Sequence, residues 1–167
     1  MAEKDTIFSS NIKHTGLFSF KDYYKFCYDW LREETGLDIN EDKYVEKLAG
    51  DAKTIEVEWT GTRKVTDYFK FEIKVAFRVD NMKNVEVTQN AKKIKMNDGA
   101  LKTTVKGTLV RDYDGKFEKS AFKKFLRSIY EKWIIKSRID QFEAKLFGDC
   151  DDFLNQGKAY LDLEGKR

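Results

Sequence analysis

The chain of 167 residues contains no proline, only two cysteines and a single histidine. Average proline usage near 5% would place about eight in a chain of this length, so chain reversals must rely on glycine, asparagine and aspartate. No apolar run approaches the roughly 18 residues of a membrane-spanning helix. The amino-terminal stretch MAEKDTIFSS lacks the basic-then-apolar pattern of a signal peptide. We therefore expect a cytoplasmic protein without a transmembrane segment.

The scarcity of cysteine and histidine limits nucleophilic and metal chemistry. Cys27 lies among aromatic residues at helical spacing, which is typical of a small buried hydrophobe. Cys150 falls at an expected helix start, where the helix dipole lowers a thiol pKa and flanking acids oppose that effect. Whether the two cysteines pair stays open. His14 has no second histidine with which to build a metal site, so a structural or solvent-exposed role is favoured.

Metal and phosphate motifs are also missing from the sequence. The acidic cluster Asp149, Asp151 and Asp152 lacks the ligand register of a calcium loop, and carboxylates at a helix start are favoured by the dipole alone. The ten glycines are scattered singly, without a phosphate-binding pattern. We expect no metal and no cofactor.

The composition that is present indicates a packed interior under a highly charged surface. Charged residues make up 37% and hydrophobic residues 41%, including 13 phenylalanines, and the net charge is only +3. A chain of this size can bury a sizeable core as one unit. We predict a single domain over residues 1–167, with a core unit at 6–147 and a short helical extension at 148–167. The oligomeric state stays open.

Hydrophobic periodicity predicts an α+β fold. Residues 6–15 suit a first strand, and two short helices should follow. The first should start at a capping-box-like pair, Ser19 and Asp22, and end at Gly36, and the second should end at Gly50. From residue 53 the period becomes two, and the alternation over 69–79, in a strand counted from Val65, predicts one buried and one solvated face. A turn is expected at Asn97-Asp98-Gly99.

After Gly115 the period is helical again for roughly thirty residues. This long helix is expected to bend near Ser137 and to end at Gly148. A sheet that contains a strand as long as 65–79 in so small a domain must be curved and must pack around another element. The sequence thus predicts a curved antiparallel β-meander of about five to six strands, packed on a long C-terminal helix.

This order of elements resembles the START-like helix-grip superfamily, in which a curved antiparallel sheet wraps the final helix. The resemblance covers roughly residues 6–147 and rests on element order and length. It implies a hydrophobic cavity between sheet and helix that holds lipids, sterols or other apolar molecules. The aromatic and aliphatic residues that would line such a cavity are Trp59, Phe69, Phe71, Ile73, Phe77, Ile129 and Trp133. A solidly packed core is the alternative interpretation of the same residues.

Charge is segregated along the chain. Residues 116–138 carry eight basic and two acidic residues, whereas residues 149–164 carry one basic and five acidic. A basic helix face beside the lysines near residue 93 would suit an anionic partner such as a phosphate backbone or anionic lipid. The residues of this predicted patch are Lys92, Lys93, Lys119, Lys123, Lys124 and Arg127. The alternative is a solvated face, or one that the acidic tail neutralises.

Three functions are compatible with these patterns. The first is a non-catalytic binding module that carries an apolar small molecule in a cavity between sheet and helix. The second is an interaction or adaptor protein that contacts nucleic acid or an acidic protein through the basic helix. The third is an enzyme using Glu56, Glu58 or Glu72, which the strand alternation directs outward; catalysis is therefore the least favoured.

Overall fold

The computed structural model describes residues 3–115, 121–134 and 136–165. It confirms the α+β class, with a curved five-stranded antiparallel sheet in the order β1-β5-β4-β3-β2. The strands are β1 (Glu3–Phe18), β2 (Asp38–Ala49), β3 (Ala52–Lys64), β4 (Phe69–Gln89) and β5 (Lys92–Arg111). The helices are α1 (Phe20–Thr35), α2 (Ala121–Ile129) and α3 (Lys136–Gly165), and a π-helical turn at Tyr130–Ile134 follows α2. None of the described helices has the length and apolarity needed to cross a membrane.

The period-two pattern identified the central strand, although β4 begins at Phe69 and not at Val65, and it continues past Val79 to Gln89. Its alternate side chains from Phe69 to Val79 are at most 2% exposed, and they form one wall of the core. Beyond Val79 the pairing of β4 with β5 shifts between Asp80 and Lys83. Asn81 there adopts a φ of 54°, so the strand bends and continues to Gln89 instead of stopping.

The turn predicted at Asn97-Asp98-Gly99 is wrong, because these residues lie inside β5. A Cβ at Gly99 would lie 2.9 Å from the backbone oxygen of Asp80, so the glycine permits close backbone approach opposite the bend in β4. The chain reverses instead at Asn90-Ala91, where φ is 50° and 62°. Two consecutive positive φ values are the signature of a type I′ hairpin turn.

The second short helix predicted before Gly50 is also wrong, since those residues form β2. This strand pairs only with β3 and lies at an edge of the sheet. None of its residues is buried, and the register slips between Glu41 and Lys43. Because both faces of this edge strand are exposed to solvent and a bulge interrupts it, apolar and polar residues do not alternate along it. The four-residue spacing of Tyr44 and Leu48 therefore resembled that of a helix.

Two helices pack on the same face of the sheet. The predicted start and end of α1 are confirmed: the Ser19 side chain accepts from the backbone N–H of Asp22, and Gly36 ends the helix at a φ of 70°. The helix α3 lies beside α1 on this face and contacts β1, β5 and α1. The rings of Phe142 and Phe69 lie 5.1 Å apart, and those of Trp30 and Phe153 lie 5.7 Å apart.

The helix end predicted at Gly148 is wrong. Lys136–Gly165 is one continuous helix, and the predicted extension is its second half, with Phe153, Leu154 and Leu161 buried. Gly107 on β5 lets this helix approach, since a Cβ there would lie 2.6 Å from Cys150 Sγ.

Both cysteines are free and buried, so they form no disulfide. Cys150 lies within α3 and not at a helix start. Burial, together with the neighbouring Asp149 charge, raises the pKa of the Cys150 thiol to about 12. Burial likewise raises the pKa of the Cys27 thiol well above its usual range. Both thiols are therefore protonated near neutral pH, which removes their nucleophilic character.

Candidate functional site

The helix α2 and the π-helical turn that follows it present a continuous apolar surface to solvent. No residue of α2 is buried. Large apolar side chains recur at the spacing i, i+3, i+4, i+7 and i+11, which places them on one side of a helix. This exposed apolar face consists of Phe122 (68% exposed), Phe125 (58%), Leu126 (40%), Ile129 (37%) and Trp133 (73%). Scattered exposed hydrophobic residues are ordinary, whereas five large ones grouped on one side of a helix are not.

An ion pair with β1 fixes which side of α2 faces the domain. Arg127 Nη2 lies 2.7 Å from Glu3 Oε1, at the first residue of β1. Arg127 Nη1 lies 3.7 Å from Asp112 Oδ2, just after β5 ends, and the Asp112 side chain is 2% exposed. Partly buried charge pairs of this kind hold a helix in one orientation more firmly than exposed ones.

The π-helical turn adds a second attachment to the same end of the sheet. Glu131 accepts a hydrogen bond from the Tyr68 hydroxyl and pairs with Arg111 Nη1 at 3.2 Å. The rings of Tyr68 and Tyr130 lie 5.6 Å apart. Burial, followed by the hydrogen bond to Glu131, raises the pKa of Tyr68 above its usual range, so the phenol stays protonated and donates. The polar contacts therefore use the inner side of the segment and leave its apolar side outward.

Cations surround the exposed apolar face. Between residues 121 and 138 there are six basic residues and one acidic residue, Glu131, which is directed inward to Arg111. Lys132 Nζ lies 5.4 Å from the centre of the Trp133 ring, as a cation–π contact. Exposed cations beside this face include Lys124, Lys132, Lys136 and Arg138. The segment is thus a basic amphipathic helix with its apolar side uncovered.

The structure separates the residues predicted to line a ligand cavity. The five from the sheet are each at most 2% exposed; these are Trp59, Phe69, Phe71, Ile73 and Phe77. Within this group the Trp59 and Phe77 rings meet edge to face at 4.8 Å. Ile129 and Trp133, in contrast, belong to the exposed apolar face and do not join the sheet residues.

The residues of the predicted basic patch are likewise divided. Lys92 and Lys93 begin β5, whereas Arg111, which contacts the π-helical turn, ends it. Nineteen residues of strand, about 63 Å of path length at roughly 3.3 Å per residue, thus separate Lys92 from the end of β5 to which the π-helical turn is attached. Lys123, Lys124 and Arg127 remain together on α2. Lys119 lies outside the described residues.

Sequence reasoning predicted this segment and its positive charge as part of one long helix ending at Gly148, whereas the structure has α2, a π-helical turn and α3. It also assigned the apolar stripe of the segment to the core. Periodicity shows that a helix has two faces, and it does not show whether the apolar one is covered. The signal that was available is the interleaving of Lys123, Lys124 and Lys132 with the apolar positions, a combination typical of helices that bind surfaces.

Other candidate groups occupy structural positions. His14 Nε2 lies 2.9 Å from the Leu17 carbonyl oxygen. Glu56 pairs with Lys43 at 2.9 Å and with Arg78 at 3.0 Å. Glu72, only 9% exposed, lies 3.4 Å from Lys4. Within the described part of the chain, no three metal-ligating side chains are grouped.

Comparison of this chain with protein-family models, with curated proteins and with solved structures finds no match.

Proposed function

We propose that this protein is a non-catalytic binding module that docks on an anionic lipid surface through the exposed apolar face. The observation that carries the proposal is the segment 121–134, where five exposed apolar side chains alternate with lysines on an anchored helix. Helices with Phe, Leu and Trp on one side and Lys or Arg on the other lie in the plane of a membrane interface. The apolar side chains supply burial, and the lysines supply attraction to anionic headgroups.

The geometry favours a lipid surface over the other anionic partners. Nucleic-acid binding by stacking uses aromatic rings beside cations, whereas two of the five residues of this face, Leu126 and Ile129, are aliphatic. An acidic protein groove would have to approach one side only, because Arg127 and Glu131 hold the opposite side against the sheet. A flat lipid surface can contact the accessible side of α2 without contacting the side that faces the sheet.

Vesicle co-sedimentation tests the proposal. The full chain should bind vesicles of phosphatidylcholine with about one third phosphatidylserine, and binding should weaken as salt screens the headgroups. Vesicles of phosphatidylcholine alone should bind much less. Binding of a duplex or single-stranded oligonucleotide, with no vesicle binding, would overturn the proposal in favour of nucleic acid.

Point variants assign the binding to the exposed apolar face. Phe125→Ala and Trp133→Ala should each reduce vesicle affinity by about tenfold, because burying such a side chain contributes about 1.5–3 kcal/mol. Leu48→Ala is the matched control, since Leu48 is 74% exposed on the edge strand β2. Equal losses for all three variants would contradict docking through α2.

Carriage of an apolar small molecule between sheet and helices, the function implied by the helix-grip resemblance, is a second candidate. It rests on the helix-grip resemblance and would use the aromatic interior, where the rings of Trp59 and Phe77 meet edge to face at 4.8 Å and those of Tyr24 and Trp59 at 4.9 Å. Solvent extraction of purified protein followed by mass spectrometry tests it. A stoichiometric lipid or sterol would support carriage, and an empty extract would exclude it for the purified protein.

A further inference from the structure

An open pocket lies between the start of α1 and the strands, away from α2. Its volume is about 430 Å³, within the range of small-molecule sites. The inner part is apolar: Phe20, Ile55 and Met82 are each at most 7% exposed. The complete lining is Phe20, Lys21, Tyr24, Glu41, Tyr44, Glu46, Ile55, Met82 and Asn97. None of the residues predicted to line a ligand cavity belongs to it.

Two tyrosine–carboxylate pairs stand on one side of this pocket. The Tyr24 hydroxyl donates to Glu41, and the Tyr44 hydroxyl donates to Glu46 Oε1 at 2.8 Å. Burial and the hydrogen bond to Glu41 raise the pKa of Tyr24 to about 12. Burial and Glu46 raise the pKa of Tyr44 to about 12 in the same way. Both phenols are neutral near pH 7, so the negative charge of these pairs is on the carboxylates of Glu41 and Glu46.

The two carboxylates differ in whether a cation pairs with them: over the ranges that the structure describes, Glu46 has such a partner and Glu41 does not. Glu46 Oε2 lies 3.8 Å from Lys53 Nζ. Glu41 has no ion pair among the described residues, and its contact is the Tyr24 hydroxyl. Lys21 also lines the pocket, but within that same part of the chain it forms no ion pair with either carboxylate. An uncompensated carboxylate beside aromatic rings is the environment that binds quaternary or methylated ammonium groups.

We propose that this pocket binds a small organic cation, with an ammonium group between Tyr24, Tyr44 and Glu41 and an apolar portion against Ile55 and Met82. The proposal is independent of lipid docking, because no residue of the pocket belongs to α2 or to the π-helical turn. Cation–π attraction and the Glu41 charge would select the ligand by charge, and the apolar floor would select it by shape.

The test compares the affinities of choline and of its neutral isostere, 3,3-dimethylbutan-1-ol. Both affinities are measured from the chemical shifts of the full chain during titration. Choline should bind at least tenfold more tightly than the neutral isostere, which corresponds to about 1.4 kcal/mol. Shifts should concentrate on residues of the pocket. Equal binding of both compounds, or no binding of choline at millimolar concentration, would overturn the proposal.

Three variants locate the binding. Glu41→Gln should weaken choline binding several-fold while keeping an acceptor for the Tyr24 hydroxyl. Asp42→Asn is the matched control, because it makes the same charge change one residue away at a different pocket. Lys21→Met should tighten choline binding by removing a like charge. Weaker binding by Lys21→Met, or equal effects of Glu41→Gln and Asp42→Asn, would contradict a cation site at Glu41.

Discussion

The two helices after the sheet carry apolar stripes of similar composition, yet only one stripe is covered. Phe153 and Leu161 on α3 are at most 2% exposed, whereas Phe122 and Trp133 are 68% and 73% exposed. The helix α3 runs against β1 and β5. The segment containing α2 is attached at the end of the sheet, through Glu3 and Arg111, the first residue of β1 and the last of β5 as described. Amphipathicity alone therefore does not determine burial.

The largest expected effect is on the covered helix. Phe153→Ala should lower the free energy of unfolding by about 3–5 kcal/mol, because the truncation leaves a cavity in a tightly packed region. The Phe153 ring packs on Trp30 at 5.7 Å, so it has little room to collapse. Urea denaturation followed by far-ultraviolet circular dichroism measures the change. A loss under 1 kcal/mol would show that α3 is less firmly packed than the structure has it.

A smaller loss is expected where α3 approaches β5. Gly107→Ala should destabilise the fold by about 1–3 kcal/mol, because its Cβ would lie 2.6 Å from Cys150 Sγ. Cys150→Ala removes that sulfur, so the double variant should be more stable than the sum of the two single changes predicts. Strict additivity in this double-mutant cycle would mean that the two residues do not meet.

The attachment of the exposed segment should be weaker than the packing of α3. Glu131→Gln removes the charge that pairs with Arg111 and accepts from Tyr68, and should cost about 1 kcal/mol. Hydrogen exchange is the sharper measurement, since amides of α2 should exchange faster while those of α3 stay protected. Unchanged exchange in α2 would show that the segment is held by other contacts.

The smallest expected effect is on the exposed apolar face itself. Phe125→Ala should change the free energy of unfolding by no more than about 0.5 kcal/mol, because the side chain is 58% exposed. Together with Phe153→Ala it gives the same chemical change on a covered and an uncovered helix. A loss above 1 kcal/mol that disappears on dilution would reveal a second copy covering this face.

Sequence patterns located most of the elements, and their failures have a common cause. The alternation in β4 and the caps of α1 depend on local spacing, so they were visible. The identity of β2, the bend opposite Gly99 and the continuation of α3 past Gly148 depend on contacts far along the chain. The candidate site followed the same division: the basic helix was predicted from its composition, but its outward apolar side was not.

The sequence by itself determined the α+β class, the long buried strand and the concentration of positive charge after residue 115. These follow from side-chain periodicity and composition, which act within one element. Only the tertiary structure decided that α3 is covered and α2 is not, because coverage requires a sheet surface alongside the helix. It also decided that Tyr24, Tyr44 and Glu41 meet at one pocket, since pairing of β2 with β3 brings that edge strand beside α1.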